Sequence, residues 1–190
     1  LFRREKGLIE EVGQMKTLFE LAVHEFAVNK RYARPLSMIL FDVDHFKRYN
    51  DAHGHLAGDH CLQRIAQTVT DQMRRPGDFV ARYGGEELAV ILPNTNLEGA
   101  HRCAENIRQR VASLELSHAP AGTAGPVTVS VGVACGVPSR RGTAAHLLAQ
   151  ADQALYRAKS GGRNRVCDSH RNAAPRSRHA AQGANQGRRD

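Results

Sequence analysis

Tryptophan is absent from this chain and aromatic residues make up only 5% of it, so packing falls to aliphatic side chains. No apolar run approaches the roughly 18 residues of a membrane helix, and no signal-peptide pattern is visible. Cysteine is scarce as well. Cys61, Cys103, Cys135 and Cys167 stand far apart, without the close pairs of a zinc site or the density of a secreted disulfide scaffold. They read as small hydrophobes in a reducing compartment. What the chain does have is a 41% hydrophobic fraction over 190 residues, enough for one core of ordinary size, and a formal charge of +8. A basic balance suits acidic partners such as nucleotides, nucleic acid or anionic lipid. The segment from Asp168 to Asp190 holds five Arg and two Asp, so about +3 of that charge belongs to a tail.

Periodicity divides the rest. Residues 1–33 carry Leu8, Val12, Met15, Phe19, Ala22 and Phe26 at spacings of three and four, which predicts one long helix ended by Arg34-Pro35. Its stripe suits packing on the same domain or a coiled-coil-like contact with a second chain. Leu36 to Val43 has the length of a buried strand. A loop with Asn50, Asp51 and Gly54 is expected next, then a helix from about Gly58 to Arg74. Phe79 to Tyr83 and Leu88 to Leu92 flank Gly84-Gly85, which reads as a type I′ hairpin with both glycines at positive φ. A helix from about Leu97 to Leu114 precedes Val127 to Ala134, whose alternation predicts a half-buried strand. Thr143 to Ser160 reads as a helix and Asn164 to Cys167 as a last strand. The order predicts an α+β domain over residues 34–167, one sheet with helices on its faces. From 168 to 190 the composition predicts a disordered basic tail.

Several charged positions have both a bland and a chemical reading. Asp42 and Asp44 either end a strand or offset a divalent cation, since Mg²⁺ takes one or two carboxylates plus substrate phosphates. The two side chains are read as facing opposite ways, so that at most one is a direct ligand. Gly84-Gly85-Glu86-Glu87 is either a solvated hairpin tip or a place where phosphate or ribose approaches bare backbone. If the Asp42 strand neighbours the hairpin, three carboxylates converge, an arrangement unfavourable without a cation. Asn50 and Asp59 offer the donor and acceptors that suit a purine edge, or serve as a turn residue and a helix-start acid. Arg75-Pro76-Gly77-Asp78 has the sequence of a type II turn that sets Arg75 beside Asp78. The pair is either a surface salt bridge or a guanine clamp, Arg donating to O6 and N7 and the carboxylate accepting from the ring N–H and amine. Lys159 and Arg163 flank Ser160-Gly161-Gly162, where they either cap a helix or neutralise a triphosphate. Arg82, His45, His53, His55 and His60 lack ligand-like helical spacing, and the histidines read as structural or incidental.

Together these residues resemble the GGDEF family of diguanylate cyclases. Gly84-Gly85-Glu86-Glu87-Leu88 is similar to the signature in its GGEEF form. Phe41 through Asp51 with Gly58-Asp59 resembles the metal and guanine segment, and Ala151-Asp152 through Tyr156, Lys159 and Gly162-Arg163-Asn164 the C-terminal motif. The resemblance covers residues 36–167. It implies a nucleotidyl-cyclase, palm-like antiparallel sheet of βααββαβ order behind an N-terminal helix. It further implies condensation of two GTP into cyclic di-GMP by a homodimer, with Mg²⁺ or Mn²⁺ as cofactor. Asp42, the carbonyl of Val43, and Glu86 would hold the metal. Glu86 would be the base, Glu87 its assistant, and Gly84 and Gly85 would admit substrate. Asn50 and Asp59 would read guanine, while Lys47, Lys159 and Arg163 would hold phosphates. Arg75 and Asp78 fall at the family's RxxD inhibitory site, where product binds. A cytoplasmic location is expected, as part of a larger signalling protein, since the chain begins at Leu1 rather than Met.

The departures lie upstream. Thr17 to Phe26 stands where most members carry DxLTGLxNRR, and Leu88 replaces the final Phe of the signature. The second reading is therefore a domain that has lost turnover and acts as a cyclic di-GMP receptor through Arg75 and Asp78. A nucleic-acid binder is a third reading, resting only on the overall charge and the Arg-rich tail.

Overall fold

The structure, a computed structural model, describes residues 11–118, 125–139 and 142–169. Leu8 and the first turns of the expected N-terminal helix lie outside these residues, as does the tail from residue 170. The element order is α1 (Glu11–Arg31), β1 (Leu36–Val43), α2 (Phe46–His53), α3 (His55–Thr70), β2 (Phe79–Gly84), β3 (Glu87–Pro93), α4 (Leu97–Ala112), β4 (Val129–Gly136), α5 (Ala144–Ser160) and β5 (Val166–Asp168). This is the expected α+β class. The sheet order is β2-β3-β1-β4-β5, antiparallel throughout except for the β4–β5 pair, which runs parallel.

Strand β1 lies at the centre with all eight residues buried. Its alternation feeds two cores. Ile39, Phe41 and Val43 pack with Ile65, Val69, Ile107 and Val111 of α3 and α4, while Leu36, Met38 and Leu40 pack with Leu18 and Ala22 of α1 and Leu147, Ala151 and Leu155 of α5. Each fully buried side chain of this size contributes about 1.5–3 kcal/mol relative to exposure. Helix α5 lies directly on β4 because Gly132 leaves room: a Cβ there would stand 2.2 Å from the Ala151 carbonyl oxygen and 2.3 Å from the Leu155 nitrogen. Thr143 starts α5 by accepting from the His146 N–H, as an N-cap residue should.

Several expectations shift. Residues 46–57 are not a loop: Asn50 sits in α2, and the break before α3 is Gly54 at φ 83°. An eight-residue helix with only Phe46 and Tyr49 buried is too short to show a clear period. Helix α3 stops at Thr70 rather than Arg74. The α1 stripe holds at Ala22 and Phe26, but Leu18 is buried in place of Phe19, which is 47% exposed. Asp168, read as the first tail residue, closes β5 and is buried.

The hairpin is displaced too. A bulge between Arg82 and Gly84 brings Gly84 opposite Glu87, so the turn is Gly85-Glu86, and only Gly85 among the two glycines has positive φ (48°). The turn 75–78 closes with the Asp78 N–H donating to the Arg75 carbonyl at 3.1 Å, but Gly77 lacks the positive φ of type II. Proline at the second position fits type I equally well.

Candidate active site

Three elements meet beside the hairpin: the end of β1, the start of β3 and the end of α5. The β1–β3 register sets Asp42 opposite Glu87, and the β1–β4 register sets it opposite Ser130. Lys159 in the last turn of α5 reaches Asp42 Oδ2 at 2.7 Å and lies 3.6 Å from Glu87 Oε1. Glu86 stands in the turn itself, half-buried. Asp42 and Glu87 thus meet around the Lys159 ammonium, and the Glu86 charge is near enough to act on Asp42. The Arg82 Nε donates to the Gly85 carbonyl at 2.8 Å and stiffens the turn.

The electrostatics follow from this crowding. Burial pushes the Asp42 carboxyl above the usual carboxylate range; Lys159 pulls it back, and the charges of Glu86 and Glu87 add to the rise. Burial alone would lower the Lys159 ammonium, yet its hydrogen bond to Asp42 and the nearby Glu87 leave it above its ordinary value. An ion pair normally depresses the acid. Here desolvation and two further carboxylates outweigh one lysine, so the cluster is short of positive charge. Among the described residues no group of three or more His, Cys, Asp or Glu stands close enough to enclose an ion by itself. Two carboxylates and a carbonyl completed by substrate phosphates do fit a hard divalent cation, and the donors here are all oxygens apart from the lysine.

Asp44 does not face away from Asp42 as the sequence reading has it. A spacing of two in a strand keeps both on one face, and both reach the end of α5. Asp44 is 1% exposed and is satisfied by Ser130 Oγ at 2.6 Å, Thr128 Oγ1 at 2.7 Å and the Asn164 N–H at 3.1 Å. It is thus spoken for by protein groups, leaving Asp42 as the available ligand.

Asn50 of α2 lies against Gly58 of α3, the residue before Asp59. Asn50 Oδ1 is buried without a partner, and a Cβ on Gly58 would lie 1.8 Å from it. A bare glycine against an unsatisfied amide oxygen is a polar cradle waiting for a donor. Asp59, the next residue after Gly58, is exposed, and so are Lys47 and Arg163. His53 and His118 pack against Tyr49 and His45 against His118, with His53 Nε2 3.0 Å from the Ser117 carbonyl, in keeping with a structural role for His45 and His53. Burial pushes the Cys61 and Cys103 thiols up to about 11, which suits packing and not nucleophilic chemistry.

The turn 75–78 sits at the opposite end of β2 from the hairpin. Arg75 Nε and Nη2 donate to Asp78 Oδ2 and Oδ1 at 3.1 and 2.7 Å, a two-pronged pair. Sequence reasoning missed Thr95, whose Oγ1 accepts from Arg75 Nη2 at 2.7 Å. Nothing in the sequence links residues twenty apart; the contact exists because the turn following β3 folds back beside the start of β2.

Sheet order and hairpin define an α+β domain with an acidic cluster at one end of its central strands, and comparison with known proteins narrows the class. Residues 16–165 match the family described as diguanylate cyclase, GGDEF domain. The chain is 37% identical over 167 residues to diguanylate cyclase DgcP of Pseudomonas aeruginosa and 40% identical over 168 residues to diguanylate cyclase DgcM of Escherichia coli. These alignments cover 86% and 87% of this chain but only 24% and 36% of those relatives. The GGDEF domain of DgcB from Caulobacter crescentus, solved with c-di-GMP, superposes with a TM-score of 0.77 at 32% identity, over 90% of this chain and all of that one. The active GGEEF domain of a diguanylate cyclase from Vibrio cholerae gives 0.76 at 33%, over 87% of this chain and 99% of that one. The chain belongs to the GGDEF diguanylate cyclase family.

Proposed function

We propose that this chain condenses two GTP molecules into cyclic di-GMP with release of two pyrophosphates, each GTP held by one of two domains. The observation that carries the reading is the cluster of Asp42, Glu86 and Glu87 beside the bare backbone of Gly84-Gly85, offset by a single lysine. Asp42, the Val43 carbonyl and Glu86 would hold Mg²⁺ or Mn²⁺. When bound, the ion stabilises charge developing at the α-phosphate and lowers the pKa of the attacking hydroxyl. Glu86 accepts the ribose 3′-hydroxyl proton, with Glu87 beside it. Asn50, through its unpartnered Oδ1, accepts from the guanine edge, and Asp59 takes part at the same pocket. Lys47 and Arg163 hold phosphate oxygens, joined by Lys159, which neutralises Asp42 in the structure described here. Arg75 and Asp78 form the RxxD site at which cyclic di-GMP acts as a feedback inhibitor. Each domain supplies half of the reactants, so the homodimer is the active unit.

The test is incubation of the purified chain with GTP and Mg²⁺ over a range of protein concentrations, with cyclic di-GMP quantified by chromatography. A specific rate that rises with concentration is the expected result. No product at any concentration, from folded protein stripped of nucleotide, overturns the reading.

A further inference from the structure

Immediately after α5 the backbone does something costly. Gly162, Arg163 and Asn164 have φ of 111°, 60° and 44°, three successive residues in the left-handed half of the map, of which two carry side chains. Side-chain-bearing residues hold such a conformation only where their surroundings impose it. The constraints here can be named. The Arg163 N–H donates to the Ala158 carbonyl at 3.0 Å, and the Arg165 carbonyl accepts from the Val131 N–H at 2.9 Å. Arg108, held by Glu105, donates from Nη1 to Asn164 Oδ1 at 2.6 Å on the outer side. On the inner side the Asn164 N–H donates to Asp44 Oδ2 at 3.1 Å.

That last contact joins two parts of the site. Asp44 follows Asp42 and Val43 at the end of β1, and Asn164 follows Arg163. Asp44 is 1% exposed, and Ser130 and Thr128 fix both its oxygens, so it is a rigid anchor and not a solvated charge. We propose that Asp44 is a positioning residue for substrate phosphate: by holding the strained Arg163-Asn164 turn against β1 it fixes the backbone from which Arg163 projects, in register with the metal-holding strand. The inference rests on the cyclase reading, which supplies the role of Arg163. It adds a residue that neither touches substrate nor binds the ion.

A double-mutant cycle tests it, read as the affinity of a GTP analogue with a non-reactive α-phosphate in Mg²⁺, measured by calorimetry. Asp44→Ala should weaken the analogue about tenfold in the wild-type background and less than about twofold in the Arg163→Ala background, because the two act as one unit. Asp44→Asn, which keeps an oxygen for the Asn164 N–H, should stay within about threefold of wild type. Affinity for cyclic di-GMP at Arg75 and Asp78 should be unchanged, which a general loosening of the fold would not allow. Equal losses in both backgrounds, or an unchanged affinity beside a lowered melting temperature, overturn the proposal. If Asp44→Ala does not fold, Arg108→Ala on the outer side of the same turn replaces it, expected to cost about threefold in wild type and nothing with Arg163→Ala; equal losses again overturn it. A wild-type chain that binds no analogue defeats the cyclase reading itself, and the positioning role with it, before any variant is compared.

Discussion

At the turn 75–78 each charge meets its opposite inside the turn: Arg75 donates to both oxygens of Asp78, and Thr95 takes a further N–H. At the other end of β2, Asp42, Glu86 and Glu87 share one ammonium, Lys159, and the Asp42 carboxyl is still pushed up. Six strand residues, about 20 Å, separate the two. Both turns are short, glycine-bearing and charged, yet one is electrostatically complete and the other is short of cation. A complete pair can wait for a ligand in its binding geometry. A cluster of acids in excess is tolerated for what it will bind, at some cost to the empty fold.

The largest effect should come from the incomplete end. Glu86→Gln keeps the size of the side chain and removes the charge proposed to hold the metal and to take the proton, so product formation should fall by at least about a hundredfold. Chromatographic quantification of cyclic di-GMP checks it; retained turnover removes Glu86 from the mechanism. Arg75→Ala breaks the complete end instead. It should weaken cyclic di-GMP by about tenfold or more while uninhibited turnover survives, and unchanged product affinity in calorimetry would refute the clamp.

The same substitution placed at both ends gives a sharper comparison. Because the folded chain holds the Asp42 proton more tightly than the unfolded chain, the stability Asp42 lends is present in acid and is lost as pH rises through its raised pKa. At neutral pH, without metal, ionised Asp42 is a liability. Asp42→Asn should therefore raise the melting temperature of the metal-free protein by about 1–3 °C, by a margin that shrinks towards acid and disappears when Mg²⁺ is added to wild type. Asp78→Asn removes a carboxylate that is 7% exposed and doubly bonded to Arg75, and should lower the melting temperature by a similar amount. If both variants shift the same way in scanning calorimetry, the two ends are not balanced differently.

Much of this contrast is legible in the sequence. Strand alternation and the Gly84-Gly85 punctuation place the hairpin within one residue, and the strand register brings Asp42 opposite Glu87. The one-residue error has a local cause, the bulge at Tyr83, which no pattern of types reveals. Helix α2 escapes because eight residues show too little period. The phase of α1 is set by which side chains fit between α5 and the sheet, and Phe19 is turned partly outward for Leu18. Long-range partners are the least legible. Lys159 is visible as a cation near a glycine pair, but its placement on Asp42 depends on how α5 seats over Gly132. Asp44 looks like a second ligand until Thr128, Ser130 and Asn164 are seen to occupy it.

Thr95 belongs to that last class, and it carries the smallest effect. Its hydroxyl accepts from Arg75 Nη2 at 2.7 Å and lies 3.0 Å from the Pro93 carbonyl, to which it donates, so it is used in both directions. Its own backbone is fixed: the Thr95 N–H donates to the Pro35 carbonyl, and its carbonyl accepts from Ser37 Oγ at 2.7 Å. The neighbouring Asn94 N–H donates to Asn29 Oδ1 of α1. Arg75 is thereby tied through Thr95 to the central strand and lies one residue from a contact with the N-terminal helix. Thr95→Val keeps the shape and removes the hydroxyl, leaving the guanidinium oriented by Asp78 alone. One neutral acceptor of a charged donor at a half-exposed site corresponds to about a two- to fivefold loss of cyclic di-GMP affinity, with Thr95→Ser restoring it. An affinity that does not move with Val, or that Ser fails to restore, means that Asp78 alone orients Arg75 and the clamp is complete without its third contact.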